Sequence, residues 1–270
     1  MSELLADKTF NLDNTKEYIL SIQVSLDGFY FSVTFNNKLL ILEEYTVKIS
    51  SEKFLGRRFD EWLSGIDLFE KPWAGVRIVY LTSKITLVPG YFYDYDKQDE
   101  IINLIFNKQP GYITRDNYWS ENRCNLIFPV HEDFLKTADL KFSGHQIIHP
   151  ATVLNQKIQP YLEDNKAILS LFFENGHFYQ IFYYDNELKS VNCYLYNNAD
   201  DVIFYVLSVL NSYNISYNNA DIILTGKIEP SDEIYKKLNH YTENILIIKN
   251  QINFDAAVFN KPMQRFITLI

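Results

Sequence analysis

Two stretches of this chain repeat the same order of short strands and turns. The first starts at Tyr18 and reads YILSIQVSL, DG, FYFSVTF, NNK and LLILEEYTV; the second starts at Ala167 and reads AILSLFF, ENG, HFYQIFYY, DNE and LKSVNCYLY. Apolar and aromatic runs joined by Asp-Gly, Asn-Gly or Asn-Asn predict antiparallel hairpins. An offset of 149 residues aligns the two stretches without a gap. The chain is therefore predicted to contain two related halves.

The segments that follow each meander also agree. After the second, the sequence predicts a helix over ADDVIFYVLSVLNSYN, a strand ADIILTG, a helix SDEIYKKLNHY capped by Ser231, and a strand NILIIK. The first half is predicted to continue with a helix SSEKFLGRRFDEWLSG, strands GVRIVYL and KITLVPG, a helix KQDEIINLIFN and a strand RCNLIFPV. Helices that connect strands after an antiparallel start predict an α/β protein with mixed sheets covered on both faces.

The domain organisation follows from these halves. We predict a first lobe over residues 1–163, which includes an inserted strand and a linking helix over Pro150 to Tyr161, and a second lobe over residues 164–270. The sequence contains no low-complexity segment and no long flexible linker, so the lobes are expected to pack together. A groove between packed lobes is the default place for a ligand.

Composition limits the class of protein. The formal charge is −9, and nucleic-acid binding instead requires clustered Lys and Arg. Cys124 and Cys193 lie in apolar, strand-like contexts without a partner motif, which predicts neither a disulfide nor a zinc site. The sequence shows no secretion signal, and no run approaches the ~20 apolar residues of a membrane helix. We therefore expect a soluble, cytoplasmic protein.

The order of elements and three short phrases point to a known group of proteins. Two βββαβαβ halves in one chain are the plan of the actin-like ATPase fold. The phrases LSIQVSLDGFYFSV, KITLVPGYFYD and ADIILTGKIEPSDEIYKKLNHY fall between Leu20 and Ile248. On these phrases the chain resembles a bacterial domain-of-unknown-function family of the actin-like ATPase clan. The resemblance implies two duplicated RNase H-like lobes, and it brings no established activity.

Actin-like ATPases share three features where their lobes face each other. An Asp ends the first strand of each half, small residues form the next turn, and a Gly-Gly loop precedes a late helix. The carboxylates hold Mg²⁺ through water, the small residues let backbone N–H groups approach the phosphates, and the glycines let adenosine lie against the chain. A chain that lacks these residues is not expected to hydrolyse ATP.

The first-strand motif is altered in both halves of this sequence. In the family register, Ser25 stands where the first carboxylate belongs. A second register keeps Asp27 as the carboxylate, but then Phe29 and Tyr30 fill the phosphate turn with bulky side chains. The second half has the turn ENGH, residues 174–177, in the corresponding place. We interpret Asp27-Gly28 as the two residues of a type I′ hairpin turn, because Asp and Gly readily adopt positive φ.

The adenosine loop is altered as well. Gly226 is followed by Lys227 instead of a second glycine. Asp232 and Glu233 then place negative charge at the start of a helix, where a bare N-terminus would favour an anion. We therefore expect no catalytic residue and no cofactor.

These features lead to three hypotheses. The first is a non-catalytic binding or scaffold protein whose partner is another protein, with an inter-lobe cleft closed by aromatic side chains, namely Phe29, Tyr30, Phe178 and Tyr179. The alternative is a divergent ATPase or phosphotransferase that binds ATP and Mg²⁺ through the residues left in the altered loops, namely Asp27, Gly28, Gly226 and Lys227. A third hypothesis is a scaffold whose cleft holds another small molecule.

No metal site is expected elsewhere in the chain. His145 and His149 are four residues apart, the spacing of two helical zinc ligands, but Gly144 and Pro150 bracket a short β-prone run without a third ligand. We therefore interpret the two histidines as structural. The acidic stretch 94–100 precedes an apolar run and predicts a helix N-terminus rather than a cation site.

Overall fold

The computed structural model describes residues 5–107, 110–248 and 252–270. The first lobe contains β1 (Ile19–Ser25), β2 (Gly28–Phe35), β3 (Lys38–Thr46), α1 (Leu55–Leu63), β4 (Gly75–Tyr80), β5 (Thr86–Pro89), α2 (Gln98–Phe106), β6 (Tyr112–Trp119), β7 (Cys124–His131), α3 (Glu132–Lys141), β8 (Gln146–Ile148) and α4 (Pro150–Ile158). The second lobe contains β9 (Ala167–Glu174), β10 (His177–Tyr184), β11 (Glu187–Leu195), α5 (Ala199–Ser212), β12 (Ala220–Gly226), α6 (Glu233–Tyr241) and β13 (Ile245–Ile247). The boundary at residues 163 and 164 stays a prediction.

Each lobe is built on a five-stranded mixed sheet. The strand orders are β3-β2-β1-β4-β8 and β11-β10-β9-β12-β13. The three meander strands are antiparallel, and the later strands join in parallel. Both meanders have a register shift at the equivalent place, after Val33 in β2 and after Phe182 in β10. The alignment of the two stretches in the sequence therefore holds in three dimensions.

The last strand of the first sheet differs from the sequence prediction. The strand predicted over RCNLIFPV is β7, and it pairs with β5 and β6 in a separate three-stranded sheet. The strand that completes the five-stranded sheet is β8, which runs parallel to β4. The sequence analysis did not predict β6 or α3. β6 was missed because its sequence, YITRDNYW, is largely polar and does not show the alternation of a strand. Helix α3 is the crossover helix between β4 and β8, and the inserted elements from β5 to β7 separate it from β4 in the sequence.

Helix α6 begins one residue later than predicted. The N-cap is Asp232 rather than Ser231. The carboxylate of Asp232 accepts a hydrogen bond from the backbone N–H of Glu229 at 2.8 Å, which fixes the loop before the helix. The predicted strand NILIIK is represented by β13, and its Lys249 lies outside the described residues.

The outer face of each five-stranded sheet carries two helices. On the first sheet, Phe29 of β2 packs against Phe59 and Trp62 of α1, and Phe134 of α3 packs against Tyr80 of β4. On the second sheet, α5 packs beside α6 over a separate apolar cluster. Full burial of a large apolar side chain contributes roughly 1.5–3 kcal/mol, so these faces hold each lobe together.

The inner face of each sheet is covered by a segment from the other lobe. Helix α4 follows the last strand of the first sheet and packs on β9 and β10. Residues 252–270, which we call the covering segment, follow the last strand of the second sheet and pack on the first. There Phe266 and Leu269 are buried with Tyr30 and Leu42, and Ser32 Oγ donates to the Leu269 carbonyl at 2.8 Å. The two lobes are thus joined by an exchange of segments.

A buried hydrogen-bond chain fixes α4 to the second lobe. Gln159 Nε2 donates to the Tyr183 hydroxyl at 3.2 Å, and that hydroxyl donates to Asn155 Oδ1 at 2.6 Å. Asn155 Nδ2 in turn donates to Asn122 Oδ1 at 3.1 Å. Tyr183 and Asn155 are buried, whereas Gln159 and Asn122 are half-buried.

Replacing Tyr183 by Phe is expected to lower the free energy of unfolding by about 1–3 kcal/mol, because Asn155 Oδ1 would lose its donor in a buried place. Urea unfolding followed by circular dichroism measures the change. The matched control is Tyr118→Phe, at an exposed position of β6, which is expected to change the midpoint little. An equal loss in both variants would contradict this role of the Tyr183 hydroxyl.

Two further observations concern the whole described chain. None of its described helices combines the length and the apolar character that crossing a bilayer requires. Cys124 and Cys193 are both free thiols, and burial raises the pKa of Cys124 to about 11 and that of Cys193 to about 12. Both thiols are therefore protonated at neutral pH.

Candidate functional site between the lobes

The β1–β2 hairpin stands where the first phosphate turn of an actin-like ATPase would lie. Ser25 pairs with Gly28, so the two turn residues are Leu26 and Asp27. The positive φ, 131°, is at Gly28, which is already the first residue of β2. A Cβ on Gly28 would lie 2.1 Å from the carbonyl oxygen of Tyr45. The predicted hairpin is confirmed. The predicted type I′ turn over Asp27-Gly28 is wrong, because Gly28 belongs to β2, where the absence of a side chain lets β3 pass close to it.

The polar groups of this turn bond to one another. Ser25 Oγ accepts a hydrogen bond from the backbone N–H of Asp27 at 3.1 Å and donates to the carbonyl of Gly28 at 3.3 Å. The carbonyl of Asp27 accepts from the backbone N–H of Val47 at 3.1 Å. The Ser25 hydroxyl and the backbone N–H of Asp27 are thus hydrogen-bonded within the hairpin.

The second hairpin places a carboxylate at the end of β9. Glu174 pairs with His177, so Asn175 and Gly176 form the turn. Glu174 is the counterpart of Ser25 in the aligned halves. An acidic residue therefore does end the first strand of the second half, although the sequence there lacks the Asp-x-Gly pattern.

Gly226 and Lys227 lie beside this carboxylate. Gly226 ends β12 with φ 83°, and a Cβ there would lie 2.2 Å from the carbonyl oxygen of Phe173 in β9. The backbone N–H of Lys227 donates to the same carbonyl at 2.8 Å. Lys227 Nζ lies 2.7 Å from Glu174 Oε2. Sheet packing therefore accounts for the glycine, and an ion pair accounts for the lysine.

Five side chains meet where the lobes face each other, and we call them the inter-lobe cluster: Gln23, Tyr30, Glu174, Lys227 and Thr268. Gln23 Nε2 of the first lobe donates to Glu174 Oε1 of the second at 3.1 Å. Thr268 Oγ1 of the covering segment donates to Gln23 Oε1 at 2.5 Å. Lys227 Nζ lies 5.7 Å from the centre of the Tyr30 ring, a cation–π distance. The cluster joins both lobes and the covering segment.

The electrostatics of the cluster centre on a buried carboxyl group. Glu174 is 2% exposed. Burial raises the pKa of Glu174, the Lys227 ammonium opposes that shift, and the nearby Asp27 adds to it. Burial alone would lower the pKa of Lys227, but the Glu174 carboxylate raises it on balance. Glu174 and Lys227 therefore form an ion pair that joins the end of β9 to the residue after β12.

Of the four aromatic residues predicted to close the cleft, two do so. Tyr30 packs on Phe266 of the covering segment. Tyr179 is fully buried and donates its hydroxyl hydrogen to the carbonyl of Thr82 at 3.2 Å. Phe29 and Phe178 point to the opposite faces of their sheets, toward α1 and α5. The prediction was wrong for these two because adjacent strand residues face opposite sides of a sheet.

The histidine pair does not come together. His149 caps α4: its Nδ1 accepts from the backbone N–H of Ala151 at 3.1 Å, and its Nε2 donates to the Thr82 carbonyl at 3.0 Å. Burial lowers the pKa of His149 to about 3. His145 Nδ1 contacts the Phe142 carbonyl instead, at 2.8 Å. Within the described ranges, no three His, Cys, Asp or Glu side chains are grouped as metal ligands.

Sequence reasoning missed three members of the cluster, namely Gln23, Glu174 and Thr268. Glu174 had a usable signal, because a lone acid follows the predicted strand AILSLFF and Lys227 follows the predicted strand ADIILTG. Adjacent parallel strands would bring those two ends together. Gln23 and Thr268 are 245 positions apart, and no local pattern relates them.

Both the sequence and the fold of this chain resemble those of known proteins. The chain matches a family model described as "Protein of unknown function (DUF3822)" over residues 7–245. The chain belongs to this family. No curated protein sequence matches the DUF3822 chain.

Two solved structures resemble this DUF3822 protein over nearly its full length. One is a protein from Bacteroides thetaiotaomicron VPI-5482 with an actin-like ATPase fold and unknown function; its TM-score is 0.82 at 18% identity, with 96% of this chain and 99% of that chain covered. The other is the PilM-PilN type IV pilus biogenesis complex, with a TM-score of 0.59 at 11% identity and coverage of 93% and 96%. At these identities the likeness concerns the fold alone, and the DUF3822 chain has the actin-like ATPase fold.

Proposed function

We propose that this DUF3822 protein is a non-catalytic binding or scaffold protein that has kept an actin-like fold without ATP hydrolysis. The observation that carries the proposal is the 3.1 Å hydrogen bond between Gln23 and Glu174. This contact spans the two lobes at the ends of β1 and β9, where the phosphates and Mg²⁺ of an actin-like ATPase would require an open space. A duplicated ancestry of the two lobes and a cytoplasmic location belong to the same proposal.

The four residues of the alternative hypothesis support this proposal through their contacts. Gly28 and Gly226 are explained by the close approach of neighbouring strands. Lys227 is engaged with Glu174. Asp27 is half-buried in a turn whose backbone groups are already hydrogen-bonded. Three of the four residues, Gly28, Gly226 and Lys227, thus have a structural role that needs no nucleotide.

The proposed partner is another protein. The formal charge of −9 disfavours binding to nucleic acid. The PilM neighbour is found in a complex with PilN, so an actin-like fold of this size can bind a protein. Actin-like lobes fixed by exchanged segments would supply a rigid surface for such a partner.

Thermal melting with nucleotide tests the proposal. With Mg²⁺ and about 5 mM ATP or ADP, we expect the midpoint to move by less than about 1 °C. A nucleotide present at 100 times its Kd would add about 2.7 kcal/mol to the free energy of unfolding, enough to raise the midpoint by about 5 °C or more. An actin-like ATPase with intact motifs serves as the positive control, and a rise that grows with nucleotide concentration would overturn the proposal.

A further inference from the structure

A groove of about 1020 Å³ lies on the first lobe, away from the inter-lobe cluster. Its floor is apolar and includes Phe31 and Trp62, which are buried, and Tyr45, which is 47% exposed. Phe10 and Leu12 form one wall. Its volume is at the upper end of the range for small-molecule pockets, so the groove has room for several residues of a peptide.

The groove runs along the outer edge of β3, the last strand of its sheet. This edge is paired at Lys38 by Asn253 and at Ile41 by Ala6. In the described part of the chain, no bridge continues this pairing over residues 43–46. An open strand edge offers N–H and C=O groups to an added strand, and the adjacent apolar floor can receive every second side chain of that strand.

The rim of the groove is acidic. Glu43, Glu61 and Asp67 line it together with one cation, Arg58. Glu61 is paired with Arg58 at 2.9 Å and with Arg57 at 3.6 Å, and Glu43 accepts a hydrogen bond from the backbone N–H of Leu5 at 2.6 Å. Glu61 and Asp67 are exposed. Glu44 also lines the groove, but Lys261 and Arg265 of the covering segment, each at 3.2 Å, neutralise it. An occupant with Lys or Arg side chains between its apolar ones would complement this rim.

We propose that the groove binds an extended segment of a partner protein that alternates apolar and basic residues and adds as a strand to β3. This inference rests on the proposed binding function and names the class of partner. The apolar side chains of the segment would occupy the floor over Phe31 and Trp62. Its basic side chains would meet Glu61 and Asp67, and its backbone would pair with residues 43–46.

The test uses the full chain and a fluorescein-labelled octapeptide of alternating Lys and Val. Fluorescence anisotropy at low salt measures its binding, and hydrogen exchange locates it. We expect saturable binding that protects the amides of Glu44 and Thr46. Two matched peptides are the controls: alternating Glu and Val reverses the charge, and N-methylation of every second residue of the Lys-Val peptide removes the strand pairing. We expect both to bind at least about 10-fold more weakly.

Charge reversal tests the rim without touching the core. The double variant Glu61→Lys, Asp67→Lys is expected to weaken binding of the Lys-Val peptide by about 10-fold. The double variant Asp96→Lys, Glu100→Lys, at exposed carboxylates outside the groove, changes the net charge by the same amount and is expected to leave the affinity unchanged. A loss of equal size in this control would show attraction by net charge alone and would overturn the inference.

Other results also decide the question. Peptide that protects amides elsewhere, or equal binding of the N-methylated peptide, would overturn the strand-addition site. A dimer in sedimentation that Asp67→Lys dissociates would assign the groove to a second copy and overturn it too. The absence of peptide binding, with melting still unaffected by nucleotide, would remove this inference while the proposed function stands.

Discussion

Replacing Lys227 by Met is expected to lower the free energy of unfolding by about 3–5 kcal/mol. The variant leaves Glu174, which is 2% exposed, without its cation. Gln23 would remain its neutral donor, and one such hydrogen bond does not compensate a buried carboxylate. Urea unfolding near neutral pH measures the change.

The same variant should show a distinct dependence on pH. Burial already raises the pKa of Glu174, and loss of Lys227 removes the charge that opposes that shift. A carboxyl group with a raised folded-state pKa destabilises the fold as pH rises from its unfolded value through its folded value. The deficit of Lys227→Met should therefore be smaller at about pH 5 than at about pH 7.5.

Two further variants make this prediction specific. The double variant Lys227→Met, Glu174→Gln removes the buried charge and should recover most of the lost stability. Lys237→Met breaks an exposed pair with Asp200 and should leave the unfolding midpoint nearly unchanged. A Lys227→Met deficit that stays constant with pH, or that the double variant does not reduce, would argue against a buried charge as its cause.

Replacing Gly226 by Ala is expected to lower the free energy of unfolding by about 2–5 kcal/mol. A left-handed backbone costs an ordinary residue about 1–2 kcal/mol, and overpacking adds about 1–3 kcal/mol. At Gly226 the new Cβ would lie 2.2 Å from a backbone oxygen of β9, which cannot move without disturbing the sheet.

Gly176→Ala is the matched control for this effect. Gly176 also has a positive φ, 72°, but a Cβ there would meet nothing within 4 Å. Its substitution should lower the free energy of unfolding by about 1–2 kcal/mol only. Urea titrations of both variants provide the comparison, and equal losses would mean that φ, rather than the contact between β12 and β9, requires glycine at 226.

The sequence predicted those parts of the fold that local patterns encode. The meanders β1–β3 and β9–β11 were predicted, because turn residues and alternation are local features. The turn of the second hairpin lies where it was predicted, whereas that of the first lies one residue earlier, at Leu26-Asp27. The three-stranded sheet was not recognised as a separate unit, because the pairing of β7 with β5 and β6 is a tertiary choice. β8 has only three residues, too few for its sequence to reveal which sheet it joins.

The site was less predictable for a related reason. The departure from the family motif was visible at Ser25 and Asp27, but the position of the positive φ depended on how closely β3 passes Gly28. The contact between Gln23 and Glu174 spans 151 positions. Such contacts depend on how the two lobes pack against each other. No single stretch of sequence encodes that packing.

The covering segment also bears on how the chain reaches its fold during translation. Strand β2 is synthesised early, yet Ser32 finds its partner, Leu269, 237 positions later. Until then the face that carries Tyr30 and Leu42 remains uncovered on the nascent chain. Contacts of such long sequence separation form slowly, and exposed apolar surface promotes aggregation meanwhile. The inner face of the first sheet is therefore completed only after the ribosome has synthesised the covering segment.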